Sequence, residues 1–386
     1  MYSYELFKLQ PNEVERLKES ESPENLCLLG RWYIYTAPEE GYEKKAFDCF
    51  SRAAFMGNAD AKLHLANIYR LGDLGRVDME AYRRLLVEAI EDGCQLAEIR
   101  LCKDIAYGVG QKEDLDKGLE EAKRRLAAQK NPDPRWYDTI GWMLFAKEET
   151  KTANEWFLKA IDCGYADSYM GLSDMPELYE EGRRKGCGGC CIMMADDLKL
   201  KYDECGRNDA NAVEYFSEDY EKRAYLDANY KYRVELAAQI EALYEEGEKL
   251  GEPSAYFYHG MLYYNAEYNH MEDDDKAWAC FMRGNQQGCV SCISMLYEMI
   301  MEGRAPEQYQ YEDACFFSLK ALRYGDDDML LPVMHAYFEG DLNEYADEIE
   351  SLYKPRYDAL EYDADGLENW PDDDPEDDDG RFDAWA

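Results

Sequence analysis

Glycines that close apolar segments recur along this chain at a nearly constant spacing, and no other feature constrains the fold as strongly. Gly57 and Gly93 are 36 residues apart, and Gly251, Gly288 and Gly325 follow one another at steps of 37. A fixed period of roughly 20 to 50 residues is typical of proteins that stack one supersecondary unit many times. The sequence therefore predicts a repeat protein with a unit of about 36 residues.

Each unit contains two helical patterns. Residues 45–56 and 152–163 carry small and bulky residues at positions i, i+3, i+4 and i+7, which predicts an amphipathic helix before the glycine. Residues 29–33 and 65–69 share a bulky–small–x–x–Tyr frame, which predicts a second helix. The polar segment 71–78 separates the two. The predicted unit is a helix, a loop, a second helix and a left-handed glycine turn.

Two longer intervals interrupt this rhythm. Gly93 and Gly164 are 71 residues apart, which fits two units with the intermediate glycine lost. Gly164 and Gly251 are 87 residues apart, which fits two units and an insertion of about 15 residues. We expect a flexible connection and one long helix in that insertion.

The pattern resembles Sel1-like repeats, which are relatives of the tetratricopeptide repeats. Residues 59–69 are similar to the first helix of that repeat, and residues 45–57 are similar to the second. The frame can be followed from about residue 24 to about 345 and is lost around 172–232. The resemblance implies an all-α fold, a right-handed α-solenoid of helix–turn–helix units of about 36 residues with a concave groove.

The chain divides into five segments on these patterns. They are an N-terminal capping segment (1–23), N-terminal Sel1-like repeats (24–182), a degenerate Cys-containing insertion and helix (183–232), C-terminal Sel1-like repeats (233–362) and an acidic tail (363–386). The tail carries eleven acidic residues and one basic residue, so we expect it to be disordered.

Charge restricts the possible partners. The 386 residues include 83 acidic and 43 basic side chains, a net charge of −40. Nucleic acids and anionic membranes would repel this surface, whereas a basic protein would be attracted. The same charge opposes self-stacking, so we expect a monomer.

The sequence also favours a cytoplasmic protein. It contains no secretory leader and no run of about 18 apolar residues that could span a membrane. The 13 cysteines are an odd number spread through apolar stretches, which indicates reduced thiols that serve mainly as small core residues.

No catalytic or cofactor-binding motif emerges, and we predict a protein that is not an enzyme and needs no cofactor. The four histidines do not recur as a ligand set, and no metal site is predicted. One group with metal-like spacing is left open: Cys187, Cys190, Cys191 and Cys205 could be structural thiols, reactive thiols or zinc ligands.

The sequence favours a protein–protein interaction scaffold, or adaptor, that presents an acidic, Tyr-rich groove to a basic protein partner. The alternative is an inhibitor or immunity protein that neutralises a basic toxin or nucleic-acid-acting enzyme by charge mimicry. The predicted partner-binding residues are Tyr264, Tyr268, Asp273, Asp274, Asp275, Phe382 and Trp385. Whether the groove or the C-terminal tail binds remains open.

Overall fold

A computed structural model of the chain describes residues 9, 11–36, 41–109, 112–172, 175–215 and 219–362. Within these ranges the regular structure is entirely helical, which confirms the predicted all-α solenoid class. The acidic tail, with Phe382 and Trp385, lies outside the described residues.

Nineteen helices are numbered here along the described chain. The first nine are α1 Pro11–Lys18, α2 Pro23–Thr36, α3 Tyr42–Phe55, α4 Ala59–Leu71, α5 Met79–Glu91, α6 Gln95–Ala106, α7 Leu115–Ala128, α8 Arg135–Ala146 and α9 Thr150–Asp162. The others are α10 Tyr179–Lys185, α11 Gly189–Tyr215, α12 Asp219–Lys249, α13 Pro253–Tyr264, α14 Asp274–Gln286, α15 Val290–Met301, α16 Tyr311–Tyr324, α17 Leu330–Glu339, α18 Ala346–Glu348 and α19 Lys354–Tyr362. Short 3₁₀ segments span Ala166–Gly171, Pro176–Leu178, Asp327–Met329 and Asn343–Tyr345, and a π-helical turn spans Ile349–Tyr353.

Consecutive helices pair into antiparallel hairpins, and each hairpin packs on the next. The glycine turns between hairpins adopt the predicted left-handed conformation. The six glycines that define the repeat have φ values between 79° and 111°: Gly57, Gly93, Gly164, Gly251, Gly288 and Gly325. A residue with a Cβ rarely adopts this backbone conformation, so the period of the sequence reflects a requirement of the backbone.

The long interval between Gly164 and Gly251 is divided differently from the prediction. Gly186, with φ 100°, ends α10 and makes an additional left-handed turn, so a short unit of 22 residues precedes a long one of 65. The long unit contains two long helices, α11 and α12, which pack against each other. The sequence predicted one long helix there because the polar second half of α11 obscures the apolar periodicity of that helix.

A glycine–phenylalanine contact recurs inside the hairpins. Gly30, Gly141 and Gly260 lie on the first helix of their hairpins, and each faces a phenylalanine ring of the second helix. A Cβ added at these glycines would lie 2.6, 2.6 and 2.4 Å from the rings of Phe50, Phe157 and Phe281, respectively. All three rings are buried. The small residue in the predicted bulky–small frame therefore makes room for an aromatic ring.

The two ends of the array contact each other through the loop of residues 72–77, which we call the closing loop. It connects α4 to α5 near the N-terminus and lies against α16 and residues 344–348. Arg323 donates hydrogen bonds to the carbonyl oxygens of Gly72 (3.3 Å) and Gly75 (2.8 Å), and Tyr324 donates to Asp73 (2.7 Å). Because about 250 residues separate these partners in sequence, the solenoid curves far enough to close on itself.

A buried ion pair lies at the centre of this contact. The Arg323 guanidinium binds Glu348 through two hydrogen bonds of 2.7 and 2.8 Å, and the two side chains are 2% and 3% exposed. The Glu348 carboxylate also accepts a hydrogen bond from the Val77 amide at 3.3 Å. The exposed pair formed by Arg76 and Asp347 lies at the edge, with N and O atoms 3.4 Å apart. The carboxylate and the closing-loop carbonyls thus compensate the buried arginine charge.

Asp138 makes the stability of the fold depend on pH. This α8 carboxylate is buried, and burial raises its pKa to about 6, although the Ser168 hydroxyl donates to it at 2.7 Å. The folded state therefore holds the proton more tightly than the unfolded chain. The resulting stabilisation is complete below the unfolded pKa near 3.8 and is lost as the pH rises through 6.

We expect Asp138→Asn to flatten this dependence. As the pH is lowered from 7 to 5, the free energy of unfolding of the wild type should rise by about 1.4 kcal/mol relative to that of the variant. Urea unfolding of both proteins at the two pH values measures the difference, in which the contributions of the other titrating groups cancel. Parallel pH profiles would contradict the assignment.

Candidate protein-binding cleft

An open cleft of about 620 Å³ lies near the C-terminal end of the described chain. Helix α15 contributes Tyr297 and Met301 to its wall, and α17 contributes Leu331 and Phe338. Tyr311 and Cys315 of α16 and Tyr357 of α19 also line it. Four helices of the last two hairpins thus position a mainly aromatic and aliphatic surface.

Large apolar side chains in the cleft are unusually exposed. Phe338 is 57% exposed, Leu331 50%, Met301 48% and Tyr311 38%. The Phe338 ring packs edge-on against Tyr357, with 5.8 Å between the ring centroids. Aromatic rings that are held by neighbours but open to solvent on one side are suited to protein contacts, because little side-chain entropy remains to be lost on binding.

Acidic side chains lie at the opening of the cleft and on or next to the helices that form it. Glu339 lies at the opening, where its carboxylate is 3.6 Å from the Nδ1 atom of His335. Glu298 lies on α15, the helix that carries Met301, and Glu302 directly follows the end of that helix. Burial, together with the neighbouring charges of Glu302 and Asp326, raises the pKa of Glu298. A cation near these carboxylates would relieve their mutual repulsion.

Tyr264 and Asp274, two of the residues predicted to bind a partner, meet at Arg304. The Arg304 guanidinium lies 3.8 Å from the centroid of the Tyr264 ring and forms an ion pair of 2.6 Å with Asp274. The Tyr264 hydroxyl donates to Glu302 at 2.5 Å. Sequence analysis missed Arg304, which joins the two predicted residues and links them to the helix of the cleft. Both side chains therefore already have partners within the chain.

The other predicted residues are dispersed. Tyr268 is half-buried and lies edge-on to Tyr202 at 5.1 Å, away from the cleft. Asp273 caps α14 by accepting a hydrogen bond from the Lys276 amide at 3.1 Å. Asp275 is exposed on the first turn of that helix. Phe382 and Trp385 lie outside the described residues, so their part in binding stays a prediction.

The cysteines are mostly core residues, as the sequence indicated. All 13 are free thiols, and 11 of them are buried. Cys187, Cys190 and Cys191 are buried around the start of α11, and Cys205 is buried further along it. Burial raises the pKa of Cys191 to about 12. At neutral pH this thiol is therefore protonated and a poor nucleophile.

Sequence analysis did not identify Leu331 and Phe338, although a signal for them exists. Helix α17 reads LLPVMHAYFE, in which Leu330, Val333 and Met334 form the buried stripe. Leu331 and Phe338 form a second apolar stripe seven residues apart on another face. A surface helix normally carries polar residues there, so a helix with two apolar faces indicates a second contact.

A comparison with solved structures found two repeat proteins that are similar to this chain. The chain is similar to the crystal structure of a Sel1 repeat protein from Oxalobacter formigenes (17% identity over 87% of this chain and 94% of that one, TM-score 0.36). It is also similar to c5321, a protective antigen of uropathogenic Escherichia coli strains that displays an SLR fold (15% identity over 86% and 76%, TM-score 0.30). No protein-family model and no curated protein matches the chain.

The described hairpins and glycine turns themselves define an α-solenoid. Among the described helices, none combines the length and the apolar character needed to cross a bilayer.

Proposed function

We propose that this protein is a non-catalytic scaffold that binds a basic protein segment through the C-terminal cleft. One observation carries the proposal: Met301, Tyr311, Leu331 and Phe338 expose large apolar surfaces around a single cavity of about 620 Å³. Clustered apolar exposure of this kind marks interaction sites on proteins. An apolar side chain of the partner would enter the cleft and cover part of the exposed rings.

The charge of the chain supports a basic partner. The net charge is −40, Glu298 and Glu339 lie on helices that form the cleft, and Glu302 directly follows one of them. Long-range attraction would accelerate encounter with a cationic segment, while the apolar anchor would supply most of the affinity. The 13 free thiols fit a reducing compartment, so we also propose a cytoplasmic location. The same net charge opposes self-association, so we propose a monomer.

The inhibitor alternative uses the same charge complementarity but requires a particular partner, a basic toxin or nucleic-acid-acting enzyme. A purified basic nuclease encoded beside this protein would be inhibited at equimolar concentration if the alternative is right. If the nuclease retains full activity, this protein is not its inhibitor, and the scaffold proposal is unaffected.

We expect Phe338→Ala to weaken binding of a lysine-rich peptide that carries one central leucine by at least about 10-fold, because an anchoring aromatic is lost. Fluorescence anisotropy with the labelled peptide measures the dissociation constant. Raising the salt from about 50 to 500 mM should weaken binding to the wild type, since exposed charges are screened.

Phe316→Ala is the matched control. Phe316 is 41% exposed on α16 but does not line the cleft, so its truncation should leave affinity within about twofold. A peptide with serine in place of leucine should bind weakly to all three proteins. Equal losses of affinity in Phe338→Ala and Phe316→Ala would refute the proposal. Binding that is unchanged by salt and by replacement of the leucine would also refute it.

A further inference from the structure

Three consecutive helices bring together a glutamate, a histidine and a cysteine outside the cleft. Glu248 lies at the end of α12, His259 in α13 and Cys280 in α14. Their potential ligand atoms all lie within 4.8 Å of one another. His259 is buried, the Glu248 side chain is 13% exposed, and Cys280 is half-buried. The cluster is therefore enclosed and still reachable from solvent.

The two ring nitrogens of His259 have different surroundings. Nδ1 is 2.7 Å from a carboxylate oxygen of Glu248. Nε2 is buried and has no hydrogen-bond partner, and the nearest carboxylate oxygen belongs to Glu241 at 3.9 Å. A buried polar atom without a partner costs about 1–3 kcal/mol. The hydrogen bond to Glu248 orients the ring, but the hydrogen-bonding capacity of Nε2 is not satisfied.

We propose that Glu248, His259 and Cys280 bind a zinc ion through a carboxylate oxygen, Nδ1 and Sγ, with a water molecule as the fourth ligand. Zinc accepts oxygen, nitrogen and sulfur at about 2.0, 2.1 and 2.3 Å, so tetrahedral ligand atoms lie about 3.3–3.8 Å apart. Side-chain rotations bring atoms that lie within 4.8 Å to this spacing. Calcium and magnesium require oxygen ligands and do not match a thiolate and an imidazole.

Zinc on Nδ1 also accounts for the unpaired nitrogen. The ring proton must then lie on Nε2, where the Glu241 carboxylate can accept it after a small shift from 3.9 Å. Glu241 is already oriented by the Tyr263 hydroxyl at 2.5 Å and by Nε2 of His270 at 3.4 Å. A carboxylate that accepts from the second nitrogen of a metal-bound histidine is a recurrent second-shell arrangement.

The charges of the cluster suit a divalent cation. The Glu248 carboxylate and the Cys280 thiolate together supply two negative charges, which neutralise Zn²⁺. Without metal, burial and the adjacent Glu248 raise the pKa of Cys280 to about 12, so the thiol keeps its proton. Binding replaces that proton with zinc and releases it to solvent. The ion would then join α12, α13 and α14, the helices that connect the long hairpin to the C-terminal repeats.

Titration of full-length, chelator-treated protein with zinc sulfate against a chromophoric chelator tests the site. We expect one zinc ion per chain, and cobalt in its place should give the near-ultraviolet thiolate charge-transfer band. Cys280→Ser and His259→Gln should lower affinity by at least about 100-fold, and Glu241→Gln by about 10-fold. The cobalt band should disappear in Cys280→Ser.

Two matched controls locate the ion. Cys163→Ser removes an exposed thiol, and the double variant Cys187→Ser/Cys190→Ser removes two buried thiols around the start of α11. Both variants should bind zinc as the wild type does. Absence of stoichiometric binding, or a cobalt band that survives Cys280→Ser, would overturn the proposal. Circular dichroism shows whether each variant is folded. Serine is nearly isosteric with cysteine, so Cys280→Ser tests the zinc site even if His259→Gln does not fold.

Discussion

Arg323→Ala should destabilise the protein by about 3–5 kcal/mol, because it leaves the Glu348 carboxylate buried without its cation. The side chains of the pair are 2% and 3% exposed. The substitution also removes the donors to the carbonyl oxygens of Gly72 and Gly75, so both ends of the array lose polar partners together. Urea unfolding at pH 7 measures the loss.

The same variant should open the solenoid. The closing loop is attached to the C-terminal repeats mainly by Arg323, Tyr324 and Glu348, so small-angle X-ray scattering should record a larger radius of gyration in Arg323→Ala. Replacement of both members of the pair, Arg323→Met with Glu348→Leu, should recover much of the stability, since no buried charge then remains unpaired.

Arg76→Ala is the control for this prediction. Arg76 pairs with Asp347 across the same interface, but its side chain is 61% exposed and that of Asp347 is 90% exposed. Solvent screens such a pair, so its loss should cost no more than about 1 kcal/mol. Similar unfolding free energies and similar scattering for the Arg323 and Arg76 variants would show that the ends are not held together as described.

Phe157→Ala should cost about 3–5 kcal/mol, because it opens a cavity in the core of the N-terminal repeats. The ring is fully buried, faces Gly141 and Gly171, and packs edge-on against Trp142 at 5.0 Å. Thermal and urea unfolding give the loss. Phe55→Ala is the control. Phe55 also lies on the second helix of a hairpin, but it is 94% exposed, so its truncation should change stability by less than about 0.5 kcal/mol.

A double-mutant cycle tests the glycine–phenylalanine contact itself. A Cβ at Gly141 would lie 2.6 Å from the Phe157 ring, so Gly141→Ala should destabilise the wild type by about 1–3 kcal/mol. In the Phe157→Ala background the ring is absent, and the same substitution should cost little. Additive effects would mean that the two residues do not share one packing site.

The local part of the architecture could be predicted from the sequence because it depends on backbone and periodicity. A left-handed turn strongly favours glycine, so Gly57, Gly93 and Gly288 mark the repeat directly. The boundary between α7 and α8 has no such glycine and lies at a segment that contains Pro132 and Pro134, which is why the sequence showed only a doubled interval.

The long-range part could not be predicted from the sequence. Nothing around Arg323 distinguishes it from other arginines, and its partners in the closing loop are about 250 residues away. The same reason applies to the metal cluster: Glu248, His259 and Cys280 are separated by 11 and 21 residues and form no motif. Only the packing of successive helices places their side chains together.

The predicted binding residues reflect the same limit. Tyr264 and Asp274 are predicted to bind a partner, but both side chains contact Arg304 within the chain. Phe338 was overlooked because an apolar residue in a repeat is normally assigned to the core. Its 57% exposure becomes visible only when the last hairpins are assembled.

Site-specific photo-crosslinking from the cleft tests the central claim most directly. Benzoylphenylalanine at position 338, with position 316 as the matched site, should be irradiated with the labelled lysine-rich peptide in low and high salt. The account predicts crosslinking from position 338 that exceeds that from 316 and declines as salt rises or unlabelled peptide competes. Equal crosslinking from the two positions, unaffected by salt or competitor, would contradict a binding cleft at this end of the solenoid.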